Sequence, residues 1–161
     1  MRIYIPLTAA DLAAAEISPR RIYTVTPEFR SSYPDWGEEN LEMATTLAAA
    51  DESLRRLAED SKSYRRLVGA GEVPAEAVVF AGAGNTAAEN SAVENELGAG
   101  ELRMPLAWSK IESLLVDESG WEDLVQRAIA GDEEAFLHTE NIDLLWYDAA
   151  ERALLYAELN K

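Results

Sequence analysis

The chain has 161 residues, with 30 acidic and 14 basic side chains, one histidine and no cysteine, and its formal net charge is −16. This length predicts a single domain over residues 1–161. The lack of cysteine excludes disulfide frameworks, cysteine-ligated zinc and thiol nucleophiles, and the lone His138 excludes metal motifs that need paired histidines.

The distribution of charge and of apolar residues bears on partners and location. The sequence has neither the apolar run of a signal peptide near its start nor 18 consecutive apolar residues, so we expect a soluble, cytoplasmic protein with no membrane partner. Residues 67–161 hold 19 acidic and 5 basic side chains, against 11 and 9 in residues 1–66. Because such a surface repels phosphates, we also expect no nucleic-acid partner.

Three arginine pairs interrupt the acidic background, at residues 20–21, 55–56 and 65–66. They could form a local patch for an anion. The alternative, which we favour, is that they pair with neighbouring acidic residues and stay solvated.

Strands and helices alternate in the first part of the chain. The pattern predicts a strand at residues 2–6, a helix capped by Thr8, a second strand at 21–26 and a short helix that begins at Thr26. A long amphipathic helix follows at about residues 37–59, because leucine and alanine recur there at three- and four-residue spacing.

The elements predicted after this helix are shorter. The sequence predicts strands at 65–68, 77–81, 101–104, 112–117 and 144–147, and helices at 120–130, from Asp132 to Leu137 and after Asp148. Residues 82–100 are small and polar with four glycines, so they are predicted to form an exposed loop. Alternating strands and helices indicate an α/β fold, a single layered domain with a mixed, partly parallel sheet flanked by helices.

Five stretches together carry a resemblance to a known family: MRIYIP, TVTPEFR, ENLEMATTLAAADESLRRLA, PLAWSKIESLLVDE and IDLLWYDAAE. The chain resembles a family of short, acidic, uncharacterised α/β proteins of actinobacteria. The resemblance covers nearly the whole chain except the loop at 82–100. It implies a cytoplasmic bacterial α/β domain, and it assigns no catalytic, metal-binding or cofactor-binding residue.

One glycine motif invites a cofactor interpretation. Residues 82–87, GAGNTA, follow a predicted strand with the G-x-G-x-x-A spacing of dinucleotide-binding turns. The motif lies far from the first strand, however, and the segment after it has no periodic apolar face. We therefore interpret it as a glycine-rich loop and expect no cofactor.

Two neighbouring carboxylates are the candidate site. Asp117 and Glu118 come at the end of the strand ESLLVD, and ligands of open α/β sheets gather beyond the carboxyl ends of strands. The pair could hold a divalent metal or act as acid and base. The structural alternative is that these acids stabilise the start of the next helix, which a Ser119–Glu122 capping box is predicted to begin.

Other candidate residues have stronger structural alternatives. His138 has acidic neighbours and could carry a proton, but we interpret it as a surface residue. Trp108 and the pair Trp146-Tyr147 could line a ligand cleft, although such aromatic residues more often fill a core or brace a sheet edge.

Two hypotheses for function follow from the sequence. The first, which we favour, is a non-catalytic protein-interaction or regulatory module whose partner is another protein or a second copy of the chain. The second is a small-molecule or divalent-metal-binding enzyme that uses the carboxylates near Asp117 and Glu118. A pocket with perturbed carboxylates would favour the enzyme, and an exposed apolar patch without a pocket would favour the interaction module.

Overall fold

The structure is a computed structural model that describes residues 1–59, 63–80 and 97–161. Its strands are β1 (Arg2–Leu7), β2 (Arg21–Tyr23), β3 (Leu67–Glu72), β4 (Val78–Phe80), β5 (Ala99–Leu102), β6 (Ile111–Asp117) and β7 (Leu144–Asp148). Its α-helices are α1 (Ala9–Leu12), α2 (Pro27–Ser32), α3 (Glu38–Glu59), α4 (Glu122–Ile129), α5 (Glu133–His138) and α6 (Arg152–Leu159). Short 3₁₀ turns precede β4, β6, β7 and α6.

The strands form one seven-stranded sheet in the order β4-β5-β2-β1-β3-β6-β7. Every neighbouring pair is antiparallel. The predicted mixed, partly parallel sheet is therefore wrong, although the α/β composition is confirmed.

The connection through α3 explains the error. This helix joins β2 to β3, which run in the same direction, but β1 lies between them and pairs antiparallel with both. The segments that contain α1, and α4 with α5, join neighbouring antiparallel strands. Parallel pairing requires a crossover, but a helical connection does not require parallel pairing, so alternation in the sequence does not fix strand direction.

The larger core lies on one face of the sheet. Alternate residues of β1, namely Ile3, Ile5 and Leu7, point to this face and are fully buried. They pack with strand residues such as Leu114, and with Leu155 on α6. At about 25 cal/mol per Å² of apolar surface, this cluster supplies much of the hydrophobic stabilisation of the fold.

The long helix α3 covers the opposite face and confirms the predicted helix at about residues 37–59. The side of α3 that faces the sheet is built from small residues, including Ala49, Ala50 and Ser53, which allow a close approach. The Ser53 hydroxyl donates to the carbonyl oxygen of Leu7 at 2.7 Å and accepts from the N–H of Leu67 at 3.0 Å. A helix side chain thus satisfies main-chain groups at the end of the β1–β3 ladder.

A third cluster lies where α4 and α5 pack against the end of α3, with Leu57 and Val125 buried between them. The predicted caps at Thr26 and Asp132 are confirmed, since their side chains accept from the N–H groups of Phe29 and Ala135. The predicted Ser119–Glu122 box is wrong, because α4 begins later and has Trp121 as its N-cap. None of the helices in the described ranges is long and apolar enough to cross a membrane.

Candidate functional site

Asp117 lies at the end of β6 with its side chain fully buried. Its carboxylate accepts from Nε of Arg66 at 2.9 Å and from Nη2 of Arg66 at 3.0 Å. The main-chain N–H of Arg66 also donates to Oδ2 of Asp117 at 2.8 Å. The candidate carboxylate is therefore held in a bidentate ion pair with an arginine 51 residues away in sequence.

The surroundings of Arg66 extend this network. Its Nη2 donates to the carbonyl oxygen of Thr139 at 2.9 Å, and its Nη1 lies 3.7 Å from Oδ1 of Asp51 on α3. Nε of Arg65 donates to the carbonyl oxygen of Asp117 at 2.8 Å. The pair thereby links β3, β6, α3 and the turn before β7, which indicates a structural role.

The electrostatics of Asp117 are those of a desolvated carboxyl. Burial raises the pKa of Asp117 above its ordinary value, and the hydrogen bonds and positive charge of Arg66 oppose that rise. Removal of this carboxylate from water is costly, and the compensation depends on Arg66 keeping its geometry.

Glu118, the second candidate, is exposed, and its N–H donates to the carbonyl oxygen of Asp143 at 2.8 Å. In the part of the chain that the structure describes, surface depressions of about 430, 240 and 440 Å³ are lined by neither Asp117 nor Glu118. Among residues 1–59, 63–80 and 97–161, no group of three or more histidine or acidic side chains could hold a metal ion. Metal binding or acid–base catalysis at this pair stays a prediction.

Asp11 and Arg20 form a second bidentate pair. The Asp11 carboxylate accepts from Nη1 and Nη2 of Arg20 at 2.8 and 2.9 Å, and from the N–H of Thr8 at 2.8 Å. Arg20, Arg65 and Arg66 are all buried, so the prediction that the arginine pairs stay solvated is wrong for these three. Their partners lie too far along the chain for local charge pattern to reveal them.

This second pair gives a pH-dependent prediction. Burial favours the neutral form of Asp11, but the hydrogen bonds and charge of Arg20 outweigh it and lower the pKa of this carboxyl below 3.8. The Asp11–Arg20 pair therefore contributes fully to the free energy of unfolding above the ordinary pKa of aspartate. This contribution is lost as pH falls through the lowered pKa of Asp11 in the folded protein. Asp11→Asn is expected to reduce the free energy of unfolding by about 1–3 kcal/mol at pH 7, and by much less near pH 2.

Urea unfolding of the wild-type protein and of Asp11→Asn between pH 7 and pH 2 measures this difference in the free energy of unfolding. Glu38→Gln is the matched control, because the Arg30–Glu38 pair is exposed and exposed pairs contribute little to stability. A stability deficit of Asp11→Asn that stays constant from pH 7 to pH 2 would contradict the lowered pKa.

The other predicted candidates are dispersed. His138 is exposed at the end of α5. Trp108 is half-buried, and its indole N–H donates to the carbonyl oxygen of Ala14 at 3.0 Å. The guanidinium of Arg152 lies over its ring, 4.4 Å from the ring centre. The GAGNTA motif and most of the predicted 82–100 loop lie outside the described residues, and Ala99 and Gly100 of that range belong to β5.

The strand β7, which contains the predicted aromatic pair Trp146-Tyr147, presents exposed apolar side chains at an edge of the sheet. Trp146 is 63% exposed, and its neighbour Leu145 is 39% exposed. In the described part of the chain β7 pairs only with β6, so it forms one edge of the sheet. We call Leu144, Leu145 and Trp146 the β7 edge.

A sequence comparison assigns the chain to a family. The profile of a family of unknown function, DUF6912, matches residues 1–155. The chain belongs to this family. The match confirms the predicted membership of a family without an assigned activity, and the matched range includes all seven strands of the described residues. No curated protein and no solved structure matches the chain.

Proposed function

We propose that this protein is a non-catalytic interaction module that binds another protein in the bacterial cytoplasm. The observation that carries the proposal is the exposure of Trp146 beside Leu145 on an edge strand. Because successive side chains of a strand point to opposite faces of the sheet, Leu145 and Trp146 expose apolar surface on both sides of this edge. Tryptophan is enriched among the residues that dominate binding energy at interfaces.

The geometry of the carboxylates supports the same choice. Both oxygens of Asp117 already accept hydrogen bonds from Arg66, so this group has a structural partner. The enzyme hypothesis would require Asp117 to release Arg66 inside the protein, where an unpaired guanidinium is strongly disfavoured.

Site-specific photo-crosslinking tests the proposal. A benzoylphenylalanine at position 145 is compared with one at position 79, because Leu145 and Val79 are equally exposed at 39% and lie on opposite edge strands. In cells that produce the protein naturally, we expect a discrete crosslinked protein from position 145, and its loss when Trp146→Thr is added. Equal labelling at the two positions, or labelling that ignores Trp146→Thr, would contradict an interaction site on β7.

A further inference from the structure

Within the described residues, the main-chain groups of Leu144 and Trp146 on the β7 edge have no strand partner. The N–H of Glu118 donates to the carbonyl oxygen of Asp143, which fixes the hydrogen-bonded positions of the β6–β7 ladder at alternate residues, Asp143, Leu145 and Tyr147. The N–H and C=O groups of Leu144 and Trp146 therefore point away from β6. The open edge ends at Asp148, whose N–H donates to the Glu151 carboxylate at 3.0 Å.

This edge lacks three of the devices that usually prevent strand addition. The strand Leu144–Asp148 contains no proline and no lysine, and its register with β6 runs without a bulge. Natural sheets commonly use such features to block pairing at exposed edges. An exposed edge strand of this kind can instead pair with an extended segment of a partner protein, which becomes an additional strand of the sheet.

The charge around the edge indicates what kind of strand it accepts. Asp143 and Asp148 flank the β7 edge, and both are exposed, as is Glu118 on the neighbouring strand end. Residues 111–161 as a whole hold thirteen acidic and three basic side chains. A second copy would bring carboxylates towards carboxylates at close range, whereas a basic segment would bring complementary charge.

We propose that the β7 edge binds an extended, basic segment of a partner protein by strand addition. This inference rests on the proposed function and deepens it, since it names the site and the chemistry of the partner. Leu144 and Trp146 supply the main-chain donors and acceptors, and Trp146 packs against an apolar side chain of the added strand. Lysine or arginine side chains of the partner lie near Asp143 and Asp148.

Three synthetic peptides test the inference by calorimetric titration of the full chain. The first is acetyl-Lys-Val-Lys-Val-Lys-Val-Lys-amide. The second replaces lysine with glutamate. The third keeps the basic sequence but has its internal amide nitrogens methylated, so that it retains its charge and donates no main-chain hydrogen bonds. We expect only the first to bind, with an affinity that falls as salt is raised.

Two protein variants locate the binding. Trp146→Thr keeps a residue that favours strands and removes the exposed ring, and it is expected to weaken binding of the basic peptide at least about tenfold. Val79→Thr on the opposite edge strand β4 is the matched control and is expected to leave binding unchanged. Both side chains are partly exposed, and unchanged thermal unfolding would confirm that both variants fold.

Each other outcome overturns the inference in a recognisable way. Equal binding of the methylated peptide would show a charge effect without strand addition. A dimer of the free protein in sedimentation that Trp146→Thr dissociates would identify a second copy as the occupant. If no peptide binds while position 145 still crosslinks a partner, the interaction module stands and the basic-strand inference fails. If both experiments are negative, the proposed function fails as well.

Discussion

Arg66→Met is expected to lower the free energy of unfolding by about 3–5 kcal/mol at pH 7, because it leaves the buried Asp117 carboxylate without its partner. The carboxyl can respond by taking up a proton, so its pKa in the folded state rises further. The loss of stability should then grow as pH rises from about 4 to 7 and shrink at lower pH.

A double variant separates two contributions to this loss of stability, the unpaired charge of Asp117 and the side-chain volume lost at position 66. Arg66→Met combined with Asp117→Leu removes both charges, and it is expected to recover a substantial part of the loss, since apolar replacements of buried ion pairs are often tolerated. Urea unfolding of the two single variants and the double variant completes the thermodynamic cycle. Additive losses in the double variant would contradict the coupling seen in the structure.

Gly71→Ala is expected to destabilise the protein by about 3 kcal/mol, the upper part of the range for overpacking. A Cβ at position 71 would lie 2.2 Å from the carbonyl oxygen of Lys110 and 3.1 Å from Cα of Ile111. These are main-chain atoms at the start of β6, next to the register shift between Ala70 and Gly71, so they cannot rotate away.

Thermal or urea unfolding measures this effect against Gly37→Ala. A Cβ at Gly37 would meet no atom within 4 Å, so this control changes only the preference at the start of α3 and should cost about 1 kcal/mol or less. Equal stability of the two variants would show that β3 and β6 are not this close at Gly71.

Local patterns in the sequence predicted individual elements well. The spacing of leucine and alanine predicted α3 to within a residue at its start, and Thr8 with Asp11 and Asp148 with Glu151 both form capping boxes. These features depend on neighbours three or four residues apart, which the sequence displays directly. Whether neighbouring strands run parallel or antiparallel depends instead on which strands become neighbours in the sheet. No local sequence pattern shows that the connection through α3 passes over β1.

The candidate sites show the same division. Asp117 was correctly placed at a strand end, but its partner Arg66 is 51 residues away and its burial was not predictable from spacing. The sequence allows Trp146 to line a cleft, fill a core or brace a sheet edge, and its position on the edge strand β7 follows only from the strand order. The run LLWY between Asp143 and Asp148, without a basic residue, was the available clue to this surface.

The most direct measurement is amide hydrogen exchange along β7 in the free protein and with the basic peptide. The N–H of Tyr147 faces β6 and should be protected, whereas the N–H groups of Leu144 and Trp146 should exchange rapidly because they face outward. Addition of the peptide should slow exchange at Leu144 and Trp146. It should leave exchange unchanged at Phe80 on the opposite edge strand β4, whose N–H also faces away from its neighbouring strand. Protection of Trp146 already in the free monomer, or no change with a bound peptide, would contradict an open edge that accepts a strand.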